Sequence, residues 1–207
     1  MKAFIYTGGH VNKQNITEHP KSDDISIAAD GGYKNAKALG ERVDILLGDF
    51  DSIGEALPEG IETIRVPAEK DFTDTQLAVQ TALDRGAKEI VIIGGLGGRL
   101  DHTLANLGLL TKLYDMHVYA VATDGYNRIR YIRSTSTLIA RSGYKYLSVI
   151  PLDKKIKGVD IEGCKYPLKN KTLLRDDTLA VSNEIVGNCA LISVRKGACY
   201  VIESIDE

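Results

Sequence analysis

Over its first 122 positions the chain alternates short apolar, strand-like runs with stretches whose apolar residues recur at helical spacing. The runs predict strands over 2–7, 25–29, 44–47, 62–66, 89–93 and 117–122, and the periodic stretches predict helices over 32–39, 75–85 and 102–114. Gly40 and Gly86 follow two of these helices, where a left-handed C-terminal cap is wanted. A run such as Ile90-Val91-Ile92-Ile93 has no polar face, which suits a strand covered on both sides. Strand and helix in alternation give a doubly wound α/β domain with a mostly parallel sheet.

Beyond residue 122 the helical period stops. Short alternating runs over 129–133, 138–141, 146–150, 179–181, 190–194 and 200–202 are separated by turn signals at Ser142-Gly143, Lys157-Gly158, Glu162-Gly163, Gly187-Asn188 and Lys196-Gly197. These predict an all-β C-terminal sandwich and a division into 1–122 and 123–207. Charge divides at the same place. Residues 1–122 hold 12 Lys+Arg against 18 Asp+Glu, net −6, and residues 123–207 hold 14 against 10, net +4.

The 207 residues are enough for a substantial core, and 43% apolar with 26% charged residues excludes a disordered chain. No polybasic tract calls for nucleic acid, and no apolar stretch reaches the roughly 18 residues of a membrane span. The start of the chain lacks the pattern of a signal peptide. Cys164, Cys189 and Cys199 lack paired spacing and are expected as buried, reduced thiols, which suits the cytoplasm. His10, His19, His102 and His117 show no zinc-ligand spacing.

Candidate chemistry gathers at the carboxyl ends of the first-half strands, where open α/β sheets bind ligands. Thr7-Gly8-Gly9, Asp30-Gly31-Gly32, Gly48-Asp49-Phe50-Asp51-Ser52 and Gly94-Gly95-Leu96-Gly97-Gly98-Arg99 all fall there. Glycines let backbone N–H groups approach an anion, so a phosphate-bearing ligand is expected, although neither a P-loop nor a complete G-x-G-x-x-G is present. Asp30, Asp49, Asp51, Asp71, Asp74 and Asp101 fall on the same edge. An extended Asp49-Phe50-Asp51 would turn both carboxylates to one side, as a magnesium site serving a polyphosphate requires. Asp71, Asp74 and Asp101 also stand where carboxylates cap helices. Arg99 suits a phosphate, or else pairs with Asp101 or Glu69; Lys70 and His102 are further candidates for the ligand.

The segments Ala29-Asp30-Gly31-Gly32, Gly48-Asp49-Phe50-Asp51-Ser52, Glu69-Lys70-Asp71-Phe72-Thr73-Asp74 and Gly95-Leu96-Gly97-Gly98-Arg99-Leu100-Asp101-His102, in this order and spacing, resemble the bacterial thiamine pyrophosphokinase family. Leu147-Ser148-Val149-Ile150-Pro151-Leu152, Lys165-Tyr166-Pro167-Leu168 and Ser182-Asn183-Glu184 extend the resemblance into the second half. The resemblance implies an ATP- and magnesium-binding catalytic domain over 1–122, a thiamine-binding β-sandwich over 123–207, and a homodimer with active sites between chains. The implied reaction converts ATP and thiamine to AMP and thiamine diphosphate. The resemblance makes Asp49, Asp51, Asp71 and Asp74 the metal and pyrophosphate site, with Arg99 and Asp101 beside the phosphates. It puts Asp30, Gly31, Gly32, Lys70, Gly97, Gly98, Arg99 and His102 on the nucleotide, and Ser182 and Asn183 on thiamine. Some relatives set a Trp against thiamine, and this chain has none. A pyrophosphokinase for another small alcohol such as a pterin, and a non-catalytic nucleotide or thiamine sensor, are the alternatives.

Overall fold

The computed structural model describes residues 1–49, 60–66 and 71–206. Asp51, Ser52, Glu69 and Lys70 therefore lie outside the described residues. The chain forms two compact units, Met1–Gly125 and Tyr126–Glu207.

In the first unit, β1 (Lys2–Tyr6), β2 (Ile25–Ala29), β3 (Ile45–Gly48), β4 (Glu62–Arg65), β5 (Glu89–Ile93) and β6 (Tyr119–Thr123) pair in parallel, in the order β4-β3-β2-β1-β5-β6. The helices are α1 (Gly32–Leu39), α2 (Asp74–Asp84) and α3 (Leu100–Asp115). Phe4, Tyr6, Ala28, Leu46, Val91 and Ile93 are buried with Ala36 of α1. The alternate residues Ala3, Ile5, Ile27, Ile45, Ile90 and Ile92 are buried as well, while α2 packs on β1–β3 and α3 on β6. Burial on both faces is the physical reason for the unbroken apolar runs. Gly40 takes φ +76° at the end of α1, and its N–H closes the last turn on Ala36 and Lys37.

The second unit is an antiparallel sandwich. One sheet is β7 (Asn127–Arg133), β13 (Ala198–Ser204) and β9 (Tyr146–Pro151), and the other runs β11 (Leu168–Leu174), β10 (Lys155–Glu162), β12 (Cys189–Lys196), β8 (Ser136–Ala140). Ile132, Val149, Cys199 and Val201 of the first sheet meet Ile139, Ile156, Val159, Ile192 and Val194 of the second in one core.

Three expectations need correction here. Residues 157–158 do not turn the chain: Gly158, at φ +63°, sits inside β10, where the pairing with β11 shifts register as in a bulge. The adjoining β11 has too many polar residues to register as an apolar run. Residues 179–181 form a turn closed by Val181 N–H on Thr178 O (3.1 Å), so no strand lies there. Finally, Cys164 and Cys199 are buried but Cys189 is exposed.

Candidate active site

Strand β1 is the switch point of the parallel sheet. The chain leaves it toward β2 on one side and returns to β5 on the other, so the loops after β1 and β5 part and leave a crevice. An open cleft of about 480 Å³ occupies this place, floored by Thr7, Gly8, Gly9, Gly95, Gly97 and Gly98. Gly31 and Asp30 line it after β2, and Thr73, Asp74 and Thr75 line it at the start of α2. Arg99 and His102 come from the start of α3.

The floor has a fixed shape. Gly95 N–H donates to Gly8 O (2.9 Å) and Gly94 N–H to Thr123 O (2.8 Å), tying the two loops to each other and to β6. A side chain at Gly95 would meet Asn106 Nδ2 at 2.5 Å, and its φ of +68° independently favours glycine. Asp30 is held at φ +45°, a conformation costly for a residue with a Cβ, and the bare Cα of Gly48 faces it. Such local strain, kept by the surrounding fold, recurs at ligand sites.

The expected site residues divide three ways. Asp30, Gly31, Asp74, Gly97, Gly98, Arg99 and His102 line the cleft. Half-buried Asp49 and exposed Asp71 are outside its lining. So is Gly32, which is buried behind it, where an added Cβ would stand 2.0 Å from Tyr6 O. Among the described residues no group of three or more His, Cys, Asp or Glu side chains is close enough to hold a metal. Asp101 Oδ1 accepts from His102 N–H in the first turn of α3 (3.0 Å), as the capping reading expects. Thr73 is the N-cap of α2, accepting from Gln76 N–H at 3.2 Å, and Asp74 is the first helical residue. Asp101 lies inside the first turn of α3, whose cap position is Arg99.

Of the readings open for Arg99, pairing with Asp101 is what the free chain adopts. The guanidinium donates twice, at 2.6 and 3.2 Å, and both side chains are exposed. This bond, with the Asp101 desolvation opposing and His102 N–H assisting, holds the Asp101 carboxyl down at about 2. An exposed pair of this kind is weak in water and exchanges readily for a phosphate.

In the second unit, Ser182 is exposed at φ +59°, its N–H on Ser148 Oγ (3.0 Å). Asn183 is buried and its amide is spent on the chain itself: Nδ2 donates to Tyr166 O (2.7 Å), and Oδ1 accepts from the N–H groups of Tyr166 (3.0 Å) and Glu184 (2.9 Å). Asn183 therefore fixes the turn that displays Ser182.

Asn106 and Phe72, to which the sequence assigns no role, also line the cleft. Phe72, 51% exposed, had a usable signal, being an aromatic set among Asp71, Thr73 and Asp74. Asn106 had none, since a lone asparagine in a helix ordinarily faces solvent.

Comparison with known proteins agrees over the whole length. Residues 17–122 match the family model "Thiamin pyrophosphokinase, catalytic domain", and residues 135–199 match "Thiamin pyrophosphokinase, vitamin B1 binding domain". The chain is 36% identical over 209 residues to the thiamine pyrophosphokinase of Bacillus subtilis, covering 98% of each, and 26% identical over 190 residues to thiamin pyrophosphokinase 1 of Caenorhabditis elegans, covering 86% of this chain and 78% of the other. The crystal structure of the Bacillus subtilis enzyme superposes with a TM-score of 0.87 at 29% identity, covering 100% of both chains. A thiamin pyrophosphokinase family protein of Enterococcus faecalis superposes with a TM-score of 0.82 at 30% identity, again covering 100% of both. With both of its units matched, the chain belongs to the thiamin pyrophosphokinase family.

Proposed function

We propose that the cleft of the first unit binds ATP and that the enzyme transfers its terminal pyrophosphate to the hydroxyl of thiamine, giving thiamine diphosphate and AMP. The observation that carries this reading is the glycine-built floor at the β1/β5 switch point, bordered by Arg99 and Asp74, in a chain of this family. The family models matched over 17–122 and 135–199 support assigning catalysis to the first part and thiamine recognition to the second.

Phosphoryl-type transfer asks a protein chiefly for positioning and charge neutralisation. The backbone N–H groups of Gly8, Gly9, Gly97 and Gly98, which line the cleft, would meet polyphosphate oxygens, and Arg99 would leave Asp101 to clasp a phosphate. Asp101, held at about 2, is a poor proton acceptor. Asp74, at the cleft wall, is the better placed carboxylate to take the proton of the attacking hydroxyl. Ser182, displayed by the Asn183-pinned turn, offers a neutral hydrogen bond to thiamine, whose thiazolium has no use for a cationic partner.

The donor set fits magnesium. The carboxylates of Asp49, Asp51, Asp71 and Asp74 are hard oxygen ligands, and magnesium serving a polyphosphate needs only one or two protein carboxylates, its other positions going to phosphate and water. A cluster of three is therefore not required. Bound there, the ion would neutralise the charge that builds on the pyrophosphate. Opposite net charges in the two parts of the chain, −6 and +4, support a homodimer in which sites lie between chains. Three free thiols accord with the cytoplasm.

Titration with a non-hydrolysable ATP analogue, followed by amide NMR, tests the cleft. The amides of Gly8, Gly97 and Gly98 should shift most. Shifts confined to the second unit would reject the assignment.

A further inference from the structure

The cleft floor is made of residues that cannot hold a shape by themselves: Gly9, Gly94, Gly95, Gly97 and Gly98 all have positive φ. Two asparagine side chains supply the stiffness from opposite helices. From α1, Asn35 Nδ2 donates to Thr7 O (2.7 Å) and Gly9 O (3.0 Å), closing the loop after β1 on itself. From α3, Asn106 Nδ2 donates to Gly95 O (2.9 Å) and so fixes the loop after β5. Asn106 is 4% exposed yet lines the cleft, so its amide stands directly beneath the glycine that joins the two loops. A buried polar group in a helix costs free energy unless it is used, and here its use is to hold the Gly95 carbonyl, and with it the loop after β5, in one orientation. A carbonyl engaged in this way is not free to turn its oxygen toward an anion.

Resting on the reading of this cleft as the nucleotide site, we propose that Asn106 and Asn35 are positioning residues for ATP. They act through Gly95 and through Thr7–Gly9, and they set nucleotide affinity without touching thiamine. In Asn106→Asp the size is kept, but the donor becomes an anion facing Gly95 O. Its KM for ATP, and its dissociation constant for a fluorescent ATP analogue, should each rise about tenfold, the cost of one lost buried hydrogen bond, while the KM for thiamine stays within twofold. Asn35→Ser, at a half-buried position where folding is safer, should move the ATP constants in the same direction. The two ATP constants staying at wild-type values in both variants, or the KM values for ATP and thiamine rising together, would overturn the proposal. A wild-type chain that bound no ATP analogue would instead remove the reading of the cleft and this inference with it.

Discussion

The loops of the cleft and the Glu203 cluster of the second unit use polar groups in opposite ways. Glu203, 2% exposed, receives Arg128 at 2.6 and 2.8 Å, Arg130 at 2.7 Å and Ser142 Oγ at 3.1 Å, so its carboxylate is consumed by its own strands. At the cleft, the Asn35 and Asn106 amides are consumed to shape the glycine loops. The first arrangement ties strands together and the second fixes the loops around an open cleft. Mutations in the two regions should therefore separate stability from turnover.

The largest effect is expected at Glu203. Glu203→Ala strands the buried Arg130 guanidinium, whose Nε already has no hydrogen bond, and takes the carboxylate from partly buried Arg128; it should lower unfolding free energy by about 3–5 kcal/mol in urea denaturation. The ATP constants of the surviving folded fraction should be unmoved; a shift in them would break the contrast. Next comes Asp74→Asn, which removes charge at the cleft wall. It should lower kcat by about a thousandfold, equivalent to several kcal/mol, with a melting temperature near that of the wild type. Asp49→Asn and Asp51→Asn test the remaining metal assignment in the same way, and near-normal rates in both would defeat it.

Asn183→Ala sharpens the comparison inside the second unit. Its amide serves Tyr166, so the loss should be about 1–3 kcal/mol of stability, read by thermal melting. A large rise in the KM for thiamine with unchanged stability would instead put the side chain on the substrate. Thiol labelling gives a smaller readout: exposed Cys189 should react in the native state, while Cys164 and Cys199 should wait for unfolding. Burial, with Asp153 adding to it, pushes the Cys199 thiol up to about 12, so it stays protonated at any ordinary pH.

The smallest effect concerns Asp101. Its carboxyl is depressed from 3.8 to about 2 by Arg99, so the pair's contribution is present above the ordinary value and vanishes as pH falls through about 2. Carbon-detected NMR should find that midpoint, and Arg99→Gln should return it toward 3.8.

The parallel sheet was legible because strands buried on both faces are mostly apolar, and the glycine-rich strand ends marked the cleft. The sequence does not reveal β10 and β11 in the same way: Gly158 imitates a turn when read without its partner strands, and the exposed lysines of β11 hide its period. Asn35 and Asn106, and the structural partners of Asn183, escape notice for a related reason. Each is defined by a backbone carbonyl or amide far away in sequence or in another element, and nothing in a residue's own neighbourhood announces such a partner.

The central claim is pyrophosphoryl transfer at the cleft, and phosphorus NMR of ATP, magnesium and thiamine incubated with the protein tests it most directly. The account predicts that the ATP resonances give way to AMP and the two coupled phosphates of thiamine diphosphate, in equal amounts. Accumulation of ADP with a singly phosphorylated product, or no turnover of thiamine at all, would contradict it.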